Sequence, residues 1–517
     1  MAQMSAWSGR YWRTILTRWF PQPLDRWVAG ITLCNLAIGV ILLLLGNHTS
    51  PYVRDFNWQQ QRVGAQEMQM VLTFNRPMDP VSVEEHLQIQ PPLPGRMHKL
   101  GRRFFWTLTE PAPYGQTYRV RLQAAVDERG QPMARPFEGE FRTPDRQLLG
   151  ISTEPGQRGR LFLFNLETGA TTLLTPAGLK VTQMQPSADG RFVYYFATAT
   201  HLQHQDLYRL DLEDQSSQLL LDHQGYQNLR FQVSPTGELV VAERIPLQRD
   251  PMAAVQTELW IQKTSRDPFE RLELDTAVGG DFFISPDESN LLISQGQGVG
   301  IVPLHPRAAA ESFLAQFGQT LAIRPDGAFG ALLRFNPDYT RSLSIVSNTG
   351  NSQEILRIQG SILKGAFSPQ APIFYALVSE VSHVGGAEHD SVGEVALDFP
   401  SYTESPRLLA ITLRPADATQ EEAGKAIEVV RADYPVDLDF SISPDGRMLA
   451  YTLLESFPGV PDDPSAPLSR SGQAIMASQV WLVDLQDGLP IPDGQRDSHR
   501  WQERRLPLGS STLAWIP

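Results

Sequence analysis

The chain has 517 residues, 41% hydrophobic and 20% charged, with 39 glycines, 40 prolines, a single cysteine and a net charge of −13. That length holds two or three domains with full cores, and the acidity argues against a nucleic-acid binder, which needs a basic face to displace counterions. Cys34 alone rules out structural disulfides, Cys-x-x-Cys redox chemistry and thiolate zinc sites, and many turn-formers with few long helical patterns point to β structure.

Residues 1–26 carry Trp7, Tyr11, Ile15 and Trp19 at four-residue spacing, with Trp12, Leu16 and Phe20 beside them. On a helix these share one face, while Arg10, Arg13 and Arg18 share the other, and Pro21 and Pro23 end the pattern. The sequence predicts a cytoplasmic amphipathic segment lying in the membrane interface. It acts either as a basic, aromatic flank that sets topology or as a docking helix for another membrane protein.

Residues 27–46, from Trp27 through Cys34 and Asn35 to Leu45 and Gly46, hold no charge. About twenty such residues cross a hydrocarbon core of roughly 30 Å. A cleaved signal peptide is the rival reading, but its apolar region runs to only about 7–15 residues and needs a small-residue cleavage site, and LLLLGNHTS offers no convincing one. Four arginines precede the span, and Arg54 alone follows closely. The positive-inside rule therefore leaves the N-terminus in the cytoplasm. With +3 on residues 1–26, about −16 is carried by the translocated remainder.

Residues 51–144 alternate apolar and polar side chains in about seven short stretches separated by Pro/Gly turns, a β-sandwich pattern. The stretch MQMVLTFNRPMDPVSVEEHLQIQP breaks at Pro77, Asp79 and Pro80 and then resumes as a strand. The succession FNRPMDP, LTEPAPYGQTYRV, VDERGQPM and FEGEFRT resembles the bacterial Ig-like domains of exported proteins. The resemblance implies Phe74 and Tyr118 in a core, Gly115 and Gly130 in turns, and a spacer or adhesive role rather than catalysis.

From residue 146 to 517 one unit recurs. FSISPDGRMLAY (440–451) has near-copies beginning at Phe231, Phe282, Leu321 and Gly365, a looser one at Met184, and a truncated one, LAWIP, at the chain end. Each carries a turn proline: Pro186, Pro235, Pro286, Pro325, Pro369, Pro444 and Pro517. An apolar strand follows each turn, then a second strand such as DLYRLDL or QVWLVDL, then a short fourth. Four strands per repeat of about 40–45 residues is propeller arithmetic. LAWIP leaves its blade unfinished, while QLLGIS, RLFLFNL and TTLLT (147–175) lack an inner companion. Pairing the two closes a ring of seven blades without open edges. The expected fold is therefore all-β: a sandwich and a seven-bladed propeller behind one transmembrane helix.

The blade motif resembles the TolB-like, WD-repeat-like propellers of bacterial envelope proteins. Glu288 and Ser289 stand where Gly would follow Asp287, and GAFSPQAP holds no Gly after its turn, so those two turns are expected to be made differently. In the motif Pro sets φ, Gly supplies positive φ and Asp accepts backbone hydrogen bonds. Ser234, Ser285, Ser368 and Ser443 are read as turn residues, and none lies in a Gly-x-Ser-x-Gly elbow.

Catalytic motifs are absent from these residues: no His-Glu-x-x-His, P-loop or dinucleotide fingerprint and no sialidase Asp-box, and an appended α/β-hydrolase domain is not expected. No catalytic residue, cofactor or firm metal site is assigned. His383, Glu388, His389 and Asp390 form a weak metal candidate in one insertion, and Asp433, Asp437 and Asp439 a weaker calcium candidate. The insertions at 198–205, 245–257, 380–407 and 454–478 all join second to third strands, which places them on one rim. The expected function is a non-catalytic, membrane-anchored scaffold or assembly factor that binds a protein partner, part of a membrane complex, through those loops. The alternative is a propeller enzyme or a glycan- or small-ligand-binding protein with its site in the central channel. The expected location is the bacterial inner membrane with the bulk in the periplasm, or the thylakoid membrane with a lumenal bulk in a cyanobacterium.

Overall fold

The computed structural model describes residues 23–45, 50–199, 204–247, 256–274, 280–296, 298–304, 312–383, 402–413, 424–433, 436–457, 474–493 and 501–517. The aromatic and arginine residues singled out between positions 7 and 19 lie outside this set. A helix spans Pro23–Leu45. Side chains described within it, between positions 27 and 41, are nearly all exposed, Trp27 and Cys34 among them. Among the described residues no helix is long and apolar enough to cross a membrane; the stretch with described side chains is shorter than the roughly twenty residues a span needs.

Residues 53–142 form two facing sheets. One pairs Val53–Phe56, Gln69–Phe74, Arg103–Leu108 and Gly95–Leu100; the other pairs Leu87–Gln90, Thr117–Leu122 and Phe137–Arg142. Alternation sends Met70, Leu72 and Phe74 from the first sheet, and Tyr118, Val120 and Leu122 from the second, into one core. Phe74 and Tyr118 are buried there, and Gly115 and Gly130 take positive φ, as the sequence led us to expect. The stretch after Pro80 differs from expectation. Before the strand resumes, Pro80–His86 coils into a short helix, because Asp79 caps it through the Ser82 amide (3.2 Å) and Pro80 sets φ at its first position.

From residue 147 onward the chain folds into a β-propeller of four-stranded antiparallel units. The second strands, such as FVYYFATA (192–199) and IFYALV (373–378), are apolar without alternation because both their faces are covered. Period two divides them between two cores. Val193 and Tyr195 pack on Leu149 and Ile151 of the preceding unit, and Tyr194 and Phe196 on Phe231 and Val240 of the next. Comparable clusters join every later unit to its successor.

The fifth and sixth units share a strand. Ser352–Phe367 runs as the outer strand of one and the inner strand of the other, so the expected short fourth strand EILRI continues straight on. The crossover is at Gly360, with φ +145; a Cβ there would lie 2.0 Å from the Ser379 carbonyl oxygen, so glycine is required.

Ser510–Trp515 pairs antiparallel with Gln147–Ser152, aligning Leu513 with Gly150 and Trp515 with Leu148. Leu513 and Trp515 enter a cluster with Phe162 of the first unit and Leu482 of the last, and the Pro517 carbonyl sits against the turn glycine Gly190 of the second. Deleting residues 513–517 removes three buried side chains, each worth roughly 1.5–3 kcal/mol, from a total stability of about 5–15 kcal/mol. A calorimetric scan is expected to show a sharply lowered melting temperature, or aggregation through the two bared edges.

Candidate functional site

The turns between first and second strands set one end of the propeller. In four of them a serine carbonyl accepts the amide of the residue three positions on: Gly190 to Ser187, Gly237 to Ser234, Glu288 to Ser285 and Gly446 to Ser443. The Ser443 hydroxyl donates to Asp445 (2.6 Å) and accepts from the Met448 amide (2.9 Å). Ser285 does the same with Asp287 and Asn290. These hydroxyls are tied into the turn on both sides. Two expectations need correction. Pro186 is the last residue of its strand, paired with Val193, and Ala188 holds the turn-proline position. The Asp287 turn is built like the others, with Glu288 itself at φ +59. The glycine-free turn after Ser368 does differ, closing through the Gln370 and Ala371 amides on the Ser368 hydroxyl.

Counting back from these turns locates the site. The inner strands face a central cavity of about 1650 Å³. The residue four before each turn serine is Gln183, Arg230, Asp281, Lys364 or Asp439, and Gln319 joins them one place further back across a bulge. They bridge neighbouring units. The Gln183 amide donates to the Phe231 carbonyl (2.8 Å) and accepts from its N–H (3.3 Å), and Gln185 clasps Val233 in the same way (3.0 and 3.1 Å). Arg230 pairs with Asp281 of the next unit, which also accepts from Gln319 (2.8 Å). Lys364 reaches Asp439 (2.8 Å) and the Phe440 carbonyl (2.6 Å). A cation on one inner strand thus meets a carboxylate on the following one, twice.

The sandwich covers the turn end of this cavity. Arg62, Gly64, Gln66, Glu67 and Pro144 line it together with turn residues Asp189, Thr236, Pro286 and Pro325. Asp445, fully buried, accepts the Tyr114 amide at 3.0 Å and lies 3.6 Å from the Arg146 guanidinium, while Arg447 reaches Glu110 at 3.3 Å. Burial pushes the Tyr114 phenol up to about 12, so it stays protonated and accepts the Ala65 amide at 3.0 Å. The blade-turn aspartate of the last unit has become the joint between domains. Nothing in the repeat itself distinguishes Asp445 from its counterparts.

Asp439, read as a weak calcium ligand, is held by Lys364 instead. Among the described residues no group of three or more His, Cys, Asp and Glu side chains is arranged to hold a metal. His383 ends the strand Ile373–His383, and His389 and Asp390 lie outside the described residues. Sequence reading missed the belt of bridging residues, although aligning the turns and reading back four positions would have found it.

No family model matches the chain. No curated protein matches it either. Solved structures resemble it at low identity. TolB from Acinetobacter baumannii is 11% identical, covering 63% of this chain and 77% of its own, with a TM-score of 0.36. An oligogalacturonate lyase from Vibrio parahaemolyticus is 14% identical over 57% and 79%, TM-score 0.37. A functionally unknown protein from Desulfotomaculum acetoxidans is 9% identical over 72% and 99%, TM-score 0.42. The propeller assignment rests on the sheets described above.

Two substitutions probe the site. Lys364→Met strips the cation from Asp439, which is 4% exposed, and is expected to cost about 3 kcal/mol in denaturant titration; adding Asp439→Leu should restore most of it. Asp445→Ala should leave both domains folded and speed protease cleavage at residues 142–146, where the joint opens.

Proposed function

We propose that this protein is a non-catalytic scaffold, anchored by its N-terminal helix, which presents an Ig-like spacer and a seven-bladed propeller outside the cytoplasm to hold a protein partner. The observation that carries this reading is the division of labour between the two ends of the propeller. The turn end is taken by the sandwich through Asp445 and the 62–67 loop. Toward the opposite end run the hairpins of second and third strands, and among the described residues those of the last two units are long. Ile373–His383 pairs with Tyr402–Thr412, and Met448–Phe457 with Ala474–Gln486. Long connections gathered on the free rim of a rigid ring suit recognition. The chain's 27–46 apolar run and its arginine flank support the anchor and the cytoplasmic N-terminus.

The seven-blade count rests on the inter-unit clusters and on the pairing of Ser510–Trp515 with Gln147–Ser152. The Ig-like reading rests on the two-sheet core. Against catalysis stands the mutual engagement of the channel side chains: Arg230, Asp281, Gln319 and Lys364 all bind protein neighbours. The 1650 Å³ cavity supports the second reading, a small ligand held in the channel.

A tagged full-length chain purified from carbonate-washed, detergent-solubilised membranes tests both readings. The anchor requires that the wash leave the protein in the membrane, and the scaffold requires a stoichiometric partner. Replacing 454–478 with a short Gly/Ser turn should leave the melting temperature unchanged and lower partner capture. Capture unchanged by this and the matching 380–407 replacement would move recognition off that rim.

A further inference from the structure

The connection between the second and third strands of the fifth unit, Asn336-Pro337-Asp338-Tyr339-Thr340, is short and lies at the free end of the propeller. Tyr339 is 90% exposed, more than any other large hydrophobic side chain described, and sits at φ +63. A bulky residue there is strained and persists only where its surroundings hold it. They do so here. Asn336 accepts the Tyr339 amide (3.1 Å), Asp338 accepts the Thr340 amide and hydroxyl, and Arg357 clamps Asp338 at 2.6 Å and the Thr340 hydroxyl at 3.0 Å. The turn offers one aromatic ring to solvent on a rigid mount.

Where the turn's two strands meet it, Phe335 is 43% exposed, with the Arg341 guanidinium 4.8 Å above its ring. Arg341, the cross-strand partner of Phe335, spends its Nε on the Gly360 carbonyl at 2.9 Å, and among the described residues no carboxylate pairs with it. In a chain of net charge −13 this is a local excess of positive charge next to two exposed aromatic rings. The adjacent hairpin of the sixth unit starts level with this one and runs four residues further, roughly 13 Å at strand rise, so the tip stands at the foot of a wall.

We propose that Tyr339, Phe335 and Arg341 anchor an acidic segment of a partner protein, its carboxylate on the Arg341 fork and an apolar or aromatic side chain on the rings. Tyrosine and arginine at a rigid, desolvatable spot are the residue types that dominate interface energies, and the guanidinium fork fits a carboxylate bidentately. The proposal rests on the scaffold reading and names one contact within it.

The test uses the full chain in detergent and a fluorescent glutamate–tyrosine copolymer as probe, with a lysine–tyrosine copolymer as control. The acidic copolymer is expected to bind despite the protein's own negative charge, more weakly as salt rises. Arg341→Glu should weaken binding by at least about tenfold. Tyr339→Gly should weaken it comparably while leaving the melting temperature equal or higher, since glycine relieves the positive φ; a merely structural tyrosine would not separate these readouts. No binding by the unaltered chain, equal binding of the lysine copolymer, or Arg341→Glu binding like the parent would overturn the proposal. Partner capture that still depends on the 454–478 loop would then leave the scaffold reading standing without this contact.

Discussion

The architecture depends on one constraint: each four-stranded unit is apolar on both faces and cannot exist without a neighbour on either side. Strands such as Ile373–His383 send Phe374, Ala376 and Val378 to one core and Tyr375 and Leu377 to the other. The contribution is area removed from water, which is large but indifferent to angle. Direction comes from the inner strands, where Gln183 and Gln185 clasp the next unit's backbone and the Arg230–Asp281 and Lys364–Asp439 pairs lock one strand to its successor. Burial holds the units together, and the polar belt sets their register.

The same belt shapes what the channel can do. On the inner strands, Arg230 is engaged with Asp281 and Lys364 with Asp439 across unit boundaries, while Arg62, Glu67 and Asp189 line the turn end of the cavity. At one end the sandwich is seated, with Asp445 capping its own turn through one oxygen and receiving the Tyr114 amide on the other. Arg447–Glu110 and the Arg146 contact add charge pairing around that buried point, and Glu167 accepts the Arg146 amide at 2.9 Å. The free end keeps the extended hairpins of the last two units and the exposed turn at Tyr339.

Much of this was legible in the sequence because its causes are local. A Pro-x-Gly turn followed by an unbroken apolar strand announces a blade wherever it occurs, and the missing partners of LAWIP and QLLGIS identified each other because an unpaired inner edge is costly. The resemblance to Ig-like domains implied Phe74 and Tyr118 in a core, where the structure has them. Local rules also explain the near misses: Asp79 and Pro80 together start a helix where alternation alone suggested a strand, and Glu288 takes the glycine conformation because the serine–aspartate hydrogen bonds hold it. Tertiary structure alone decided the rest. Which turn aspartate would meet the sandwich, that Asp439 would face Lys364 seventy-five residues earlier and not a metal, and that Arg341 would stand beside Phe335 without a carboxylate all depend on distances between strands far apart in the chain. No spacing rule encodes those distances, because they are set by how neighbouring sheets share their faces around one channel.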